Sequence, residues 1–345
     1  MFPQQIIDAL RTVRYPGTGK DIIASGMLED DIRISGFAVS FSLIFPKEND
    51  PFRKSLIRAA ETAIKTYVDE NAEVTIHEKF TRSYPPQTKG EQERVLASHI
   101  IAVSSGKGGV GKSTVACNLA VSLAQMGYRV GLLDADIHGP SQPKMLNCED
   151  YRPVATTIDG RDLIEPVEAY GVKMLSIGFF VSENQAIVWR GGMASNAIKQ
   201  LIEEANWGEL DYFLIDLPPG TSDIHLTIVQ QLQLTGAIIV TTPQPVALAD
   251  ARKGVDMFRN EKINVPVLGI VENMAWFTPA ELPDNRYYIF GKDGGKHLAE
   301  EMQVPLLGQI PLVQSIREGG DNGKPIALQQ GHPAANFYFA IAKSI

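Results

Sequence analysis

Apolar and polar positions alternate along this chain in two different manners. Up to residue 82 the apolar runs are short. Residues 2–13 carry Ile6, Ile7, Leu10 and Val13 at helical spacing, and Tyr15-Pro16-Gly17 ends that pattern. MLEDDIRISG and FAVSFSLIF then alternate as two antiparallel strands joined through Ser35-Gly36. A second helix follows Asp50-Pro51, with Leu56, Ile57, Ala60 and Ile64 as its stripe, and AEVTIHEKF reads as a third strand. The order α-β-β-α-β predicts a small α+β domain over residues 1–82. Residues 83–98, polar and proline-containing, predict an interdomain linker.

From residue 99 the strands become continuous apolar runs, the mark of a sheet covered on both faces. Ile100–Val103, Arg129–Leu133, Tyr212–Ile215, Ala237–Val240, a strand ending at Asn273, and PLLGQIPL alternate with helical patterns. VKMLSIGFF and AIVWRGG add short strand-like pieces, and MASNAIKQLIEEANWGEL and SDIHLTIVQQLQ read as helices. This alternation predicts an α/β domain over residues 99–345 with a doubly wound, mostly parallel sheet.

Composition narrows the function classes. A net charge of -8 argues against general nucleic-acid binding, which needs a basic face. No run approaches the roughly 20 apolar residues of a membrane span, and the N-terminus lacks the apolar core of a signal peptide. Two cysteines, Cys117 and Cys148, give no disulfide framework. These features predict a cytoplasmic protein with neither nucleic acid nor membrane as partner.

The chemistry centres on GKGGVGKST, residues 106–114, set between the strand at Ile100–Val103 and a helix. That context makes the pattern a P-loop. Gly106, Gly108, Gly109 and Gly111, with Lys107 and Val110 between them, let successive backbone N–H groups turn towards phosphate oxygens. Lys112 is expected to reach the β- and γ-phosphates and the Ser113 hydroxyl to ligate Mg²⁺, with Thr114 completing the loop.

Three aspartates extend the site. Asp134 and Asp136 follow the second strand of the sheet, at the carboxyl edge where ligands bind in such folds. Two carboxylates beside a triphosphate repel it unless a cation or a water needs them. Asp136 is therefore the candidate to orient the attacking water, with Asp134 supporting Mg²⁺ and its loop. Asp216 ends the strand Tyr212–Ile215 as a Walker B carboxylate for the Mg²⁺ shell, ahead of the Pro218-Pro219-Gly220-Thr221 loop. His138-Gly139-Pro140-Ser141 and Pro143 predict an irregular loop.

Lys107, directly after the first glycine, makes the loop resemble the deviant Walker A motif of the MinD- and ParA-like ATPases. GKGGVGKST, LLDADIHGPSQPKML, WRGGM, DLPPGTSD, TTPQPVALADARKG, VENM and GQIPL, in that order, resemble the Mrp/ApbC branch of these proteins. Residues 1–82 resemble the DUF59/MIP18-like domain, with Tyr15-Pro16-Gly17 and Phe45-Pro46-Lys47 departing from its usual pattern. The resemblance implies ATP hydrolysis by a homodimer that carries iron–sulfur clusters to apoprotein acceptors or assembly-scaffold proteins. It further implies that Lys107 reaches the partner subunit's nucleotide, that Asn273 recognises the adenine edge, and that Pro311 lies near the base.

One departure bears on cargo. The branch places a Cys-x-x-Cys pair shortly after VENM, where this chain reads MAWFTPAELP. Cluster iron favours thiolates, usually four, and Asp284, His297 or Glu281 would be harder donors. Two functions stay open on the sequence: an ATP-dependent iron–sulfur carrier, or an ATP-gated dimeric scaffold without a cluster.

Overall fold

The computed structural model describes all residues except 1, 15–20, 24, 26, 30, 46–51, 81–95, 138, 159, 181–190 and 221–222. Tyr15-Pro16-Gly17, Pro46-Lys47, most of the linker, His138, most of AIVWRGG and Thr221 thus lie outside the described residues. Two units are distinguished, Met1–Arg94 and Val95–Ile345.

In the first unit, α1 (Pro3–Leu10) and α2 (Arg53–Tyr67) accompany β1 (Arg33–Ser35), β2 (Ala38–Phe45) and β3 (Glu73–Phe80). The sheet runs β1-β2-β3, antiparallel then parallel. Its core joins Ile6, Leu10, Phe41, Leu43, Leu56 and Ile64, the stripes visible in the sequence. The first strand is shorter than expected, Arg33–Ser35 rather than the whole of MLEDDIRISG. The ladder is interrupted around Asp31, with Leu28 bridging Leu43 on one side and Arg33 facing Ser40 on the other. The Asp31 carboxylate accepts the Ser42 N–H at 2.8 Å and the Ser42 hydroxyl at 2.5 Å, taking a partner that a ladder carbonyl would otherwise use. Those bonds also hold the Asp31 carboxyl below its ordinary range.

The second unit starts with β4 (Ala97–Ser105), which begins inside the stretch read as linker because Ala97 already pairs with Leu210. Then come α3 (Lys112–Gln125), β5 (Val130–Asp134), α4 (Gln142–Met145), β6 (Ala155–Ile158), β7 (Arg161–Ile164), β8 (Val167–Ala169) and β9 (Val172–Ser176). They are followed by α5 (Gly191–Glu203), β10 (Leu210–Asp216), α6 (Asp223–Gln231), β11 (Gly236–Thr241), α7 (Pro245–Arg259) and β12 (Val267–Phe277). The chain ends with α8 (Gly294–Met302), β13 (Leu306–Leu312), α9 (Gln314–Asp321) and α10 (Pro333–Ala342).

Eight strands form one sheet in the order β13-β12-β11-β4-β10-β5-β9-β8. All its pairings are parallel except β8 with β9. This is the doubly wound α/β fold that the alternation predicts. Strand residues such as Ile101, Leu132, Phe213 and Ile239 are completely or almost completely buried, as full coverage of both faces requires. β6 and β7 form a separate hairpin.

Two local expectations are corrected. β12 does not stop at Asn273 but continues to Phe277, with a register shift against β13 and Met274 at φ 55°. A bulge lets the strand pass a kink without ending. The loop around Pro143 contains one helical turn, α4, with Pro143 in its first turn, where a missing N–H costs nothing.

Candidate nucleotide site

The site is built at the carboxyl edge of β4, β5 and β10. In-register pairing sets Asp216 beside both Val103 and Asp134, so the two carboxylates end neighbouring strands just under the loop that follows β4. Both are fully buried. Crowding them there needs compensation, and the residues around them supply it.

Lys112, the first residue of α3, is 6% exposed. Its ammonium bonds Asp216 Oδ1 and the Ser113 hydroxyl at 3.1 Å, and lies 3.9 Å from Asp136 Oδ2. Asp134 Oδ2 accepts the N–H groups of Ser141 at 3.0 Å and Gln142 at 3.1 Å and the Ser176 hydroxyl at 3.0 Å. Its Oδ1 accepts the Asp136 N–H at 3.2 Å. Burial and then the neighbouring Asp216 charge push the Asp134 carboxyl up to about 7, against the pull of these donors and of Lys112. Asp134 therefore folds the 136–142 loop around itself. Asp136 rides on that loop, accepting the Gly139 N–H at 3.3 Å.

The P-loop lies over these groups. The Ser105 hydroxyl donates to the Lys107 carbonyl at 3.0 Å, closing the turn. Gly106 passes directly over α7: a Cβ there would sit 2.2 Å from the Asp250 carbonyl carbon. Gly111 has φ 84°, and a Cβ on it would meet Asn273 Nδ2 at 2.2 Å. At these two positions only glycine fits, by close approach in one case and by both approach and backbone sign in the other.

A cleft opens above the loop. Lys107, Gly108, Gly109, Gly111, Lys112, Ser113, Thr114 and Asp136 line it, with Ser105, Ser141, Met145 and Pro219. Val110 is buried behind them, and Gly106 lies against α7. Asn273 and Pro311 are not among the lining residues. Asn273 instead donates its amide to the Val110 carbonyl at 2.9 Å, so it holds the loop from the side. Pro311 is buried in β13.

Sequence reasoning passed over two residues. Gln142 is fully buried, and its amide nitrogen joins the Ser113 carbonyl at 3.0 Å to Asp216 Oδ2 at 2.9 Å. Nothing in GPSQPKML signals that position. Glu272, also fully buried, accepts the Lys296 N–H at 3.0 Å and the Gln309 amide at 3.2 Å beside the start of α8. An acid inside the apolar run VLGIVENM is a signal that was there to find.

Neither cysteine is a free surface thiol. Cys117 is 1% exposed within α3, and Cys148 is half-buried, donating to the Pro143 carbonyl at 3.5 Å. Burial pushes the Cys117 thiol far up and the Cys148 thiol up to about 12. The segment after Asn273 is a hairpin, Phe277 and Tyr287 exchanging both backbone bonds at 2.8 Å. The Arg286 guanidinium covers the Trp276 ring at 4.4 Å. Among the described residues no group of three His, Cys, Asp or Glu is placed to hold a metal ion.

With this geometry in view, comparison with known proteins is decisive. Residues 96–345 match the family described as ParA, NUBPL iron-transfer P-loop NTPase, and residues 3–76 match that described as iron–sulfur cluster assembly protein. An iron–sulfur cluster carrier protein of Synechocystis is 44% identical over 344 residues, covering 99% of this chain and 96% of its own. The chain belongs to the iron–sulfur cluster carrier family. The carrier protein of Deinococcus radiodurans is 41% identical over 348 residues, covering 99% of this chain and 93% of its own. Among solved structures, a nucleotide-binding protein from Archaeoglobus fulgidus in complex with ADP has a TM-score of 0.60 at 37% identity. It covers 71% of this chain and 93% of that one. The cell division ATPase MinD of Pyrococcus furiosus follows the same fold, with a TM-score of 0.53 at 25% identity over 72% of this chain and 98% of that one. No helix among the described residues is long and apolar enough to cross a membrane.

Proposed function

We propose that this carrier-family chain is a Mg²⁺-dependent ATPase that acts as a nucleotide-gated homodimer in iron–sulfur cluster delivery. One observation carries the reading: Lys112, Ser113 and Asp136 line a single cleft, and Lys112 bonds the Walker B carboxylate Asp216 behind it. An entering triphosphate meets the amides of Gly108, Gly109 and Gly111 and competes with Asp216 for the Lys112 ammonium. Ser113, Asp216 and Asp134 offer hard oxygen donors, the set that suits Mg²⁺, and Ser113 and Asp216 would hold it. Held there, Mg²⁺ would supply positive charge against the phosphate oxygens. Asp136 orients the attacking water and accepts its proton, while Asp134 fixes the loop that carries Asp136. Lys107 stabilises charge on the partner subunit's nucleotide. Asn273 serves the site by keeping the loop in place; neither it nor Pro311 lines the cleft.

The test is equilibrium binding of ATP with and without Mg²⁺. Wild type is expected to bind and Lys112→Ala to lose binding; a Lys112→Ala chain that binds ATP normally would sink the reading.

A second reading keeps the ATPase and removes the cluster cargo. The burial of both thiols favours it, because cluster iron takes thiolates and neither cysteine is set up to present one. Anaerobic reconstitution followed by iron and sulfide counts decides between the two. Stoichiometric iron and sulfide support the carrier; their absence leaves an ATP-gated scaffold for partner proteins.

A further inference from the structure

Gln142 opens α4 without any solvent exposure, and its three bonds reach three separate parts of the site. The amide nitrogen donates to the Ser113 carbonyl at 3.0 Å and to Asp216 Oδ2 at 2.9 Å. The backbone N–H donates to Asp134 Oδ2 at 3.1 Å. Both amide hydrogens are thereby used, whereas among the described residues the buried amide oxygen has no hydrogen-bond partner. An unpaired buried oxygen is costly, and an apolar side chain of equal length would fill the space without that cost. The residue is suited to the site only through its nitrogen.

Asp216 shows what that nitrogen does. Its Oδ1 faces the Lys112 ammonium, on the side of the cleft; its Oδ2 is taken by Gln142. The same amide fixes the peptide of Ser113, whose hydroxyl is the other expected Mg²⁺ ligand. Because Gln142 starts α4, which follows the loop carrying Asp136, the metal side and the water side of the site share one anchor.

We propose that Gln142 is a positioning residue for Mg²⁺. It presents a single Asp216 oxygen to the metal and ties the Asp136 loop to the metal ligands. This rests on the reading that Ser113 and Asp216 hold Mg²⁺. Residues that orient metal ligands are worth about 10–100-fold in metal affinity. Gln142→Met keeps length and apolar volume and removes both side-chain bonds; Gln142→Asn keeps the amide one carbon shorter.

The experiment titrates Mg²⁺ against a fixed concentration of a fluorescent ADP analogue bound to the full chain, with a melting curve for each variant. In metal-free buffer each variant gives its own baseline affinity for the analogue, against which the effect of Mg²⁺ is read. The half-saturating Mg²⁺ of Gln142→Met is expected to rise about tenfold or more. Gln142→Asn is expected between the two, and it carries the test if the Met variant does not fold. Half-saturating Mg²⁺ equal to wild type in a folded variant would overturn the proposal, as would weakened binding in metal-free buffer alone. A wild-type chain whose affinity for ADP ignores Mg²⁺ would instead overturn the underlying reading, and this inference with it.

Discussion

Asn273 donates its side-chain amide to the carbonyl of Val110 at 2.9 Å, a bond that spans 163 residues and joins β12 to the P-loop. The amide nitrogen also lies where a Cβ on Gly111 would have to sit, 2.2 Å from it. Two roles for Asn273 make different predictions. As a brace for the loop, Asn273→Ala lowers stability by about 1–3 kcal/mol, the usual loss for a buried hydrogen bond left half-made, and weakens ATP, GTP and ITP alike. As a reader of the adenine edge, it would weaken ATP selectively. The observed bond favours the first outcome, and competition binding with the three nucleotides checks it.

Gly106 gives a sharper steric case. Its Cα lies so close to α7 that an added methyl carbon would fall 2.2 Å from the Asp250 carbonyl carbon and 2.5 Å from the Ala251 nitrogen. Backbone atoms cannot rotate away as a side-chain tip can. Gly106→Ala is therefore expected to cost about 1–3 kcal/mol or more through overpacking and to lose nucleotide affinity with it. Gly108→Ala, where a Cβ meets nothing within 4 Å, is the control that should fold with wild-type stability. Thermal melts of the two variants side by side test the contrast.

How much of this was legible in the sequence follows the range of the interactions. The sheet and its helices were readable because apolar runs and glycine punctuation are local signals, and the P-loop is a contiguous motif. The pairing of Asp216 with Asp134 was half readable: each ends a strand, but their adjacency depends on β10 lying beside β5. Gln142 was not readable, because its partners Ser113 and Asp216 are 29 and 74 residues away and its own neighbours form an irregular loop. The length of β12 was misjudged for a similar reason. Its last residues are held by pairing with β13 and by the Phe277–Tyr287 exchange, not by their own pattern.

Glu272 makes stability depend on pH in a direction opposite to that of a salt-bridged acid. Burial pushes its carboxyl above the ordinary value of 4.5, outweighing the Lys296, Gln309 and Gly295 donors that pull it down. The native chain thus holds this proton more tightly than the unfolded chain. Its contribution is fully present below the ordinary carboxylate pKa and is lost as pH rises through the raised native value. Glu272→Gln removes that dependence while keeping the shape of the side chain. The difference in melting temperature between wild type and Glu272→Gln should grow in the variant's favour from about pH 4 to pH 8. A constant difference across that range would show that the Glu272 carboxyl titrates alike in the native and unfolded chains, and that burial does not raise it.

Lys107 and Asp136 separate binding from turnover. Lys107 lines the cleft, and among the described residues no ion pair engages its ammonium, in contrast to Lys112 beside it. Asp136 stands 3.9 Å from the Lys112 ammonium on a loop fixed by Asp134. If Lys107 acts across the dimer, Lys107→Ala keeps ATP affinity within about twofold and cuts hydrolysis by about 10³-fold or more, the scale of a charge supplied in trans to a transferring phosphoryl group. Asp136→Asn keeps the loop shape but weakens proton acceptance, so it should bind ATP, hydrolyse it at least 10²-fold more slowly, on the order of a general base's contribution, and accumulate as an ATP-bound dimer. Sedimentation with ATP and with ADP distinguishes the variants: the aspartate variant should sediment as a dimer with ATP alone, and the lysine variant as a monomer with either. Normal turnover by Lys107→Ala would confine that residue to the loop of its own subunit, and normal turnover by Asp136→Asn would leave the water to be oriented by another group of the cleft.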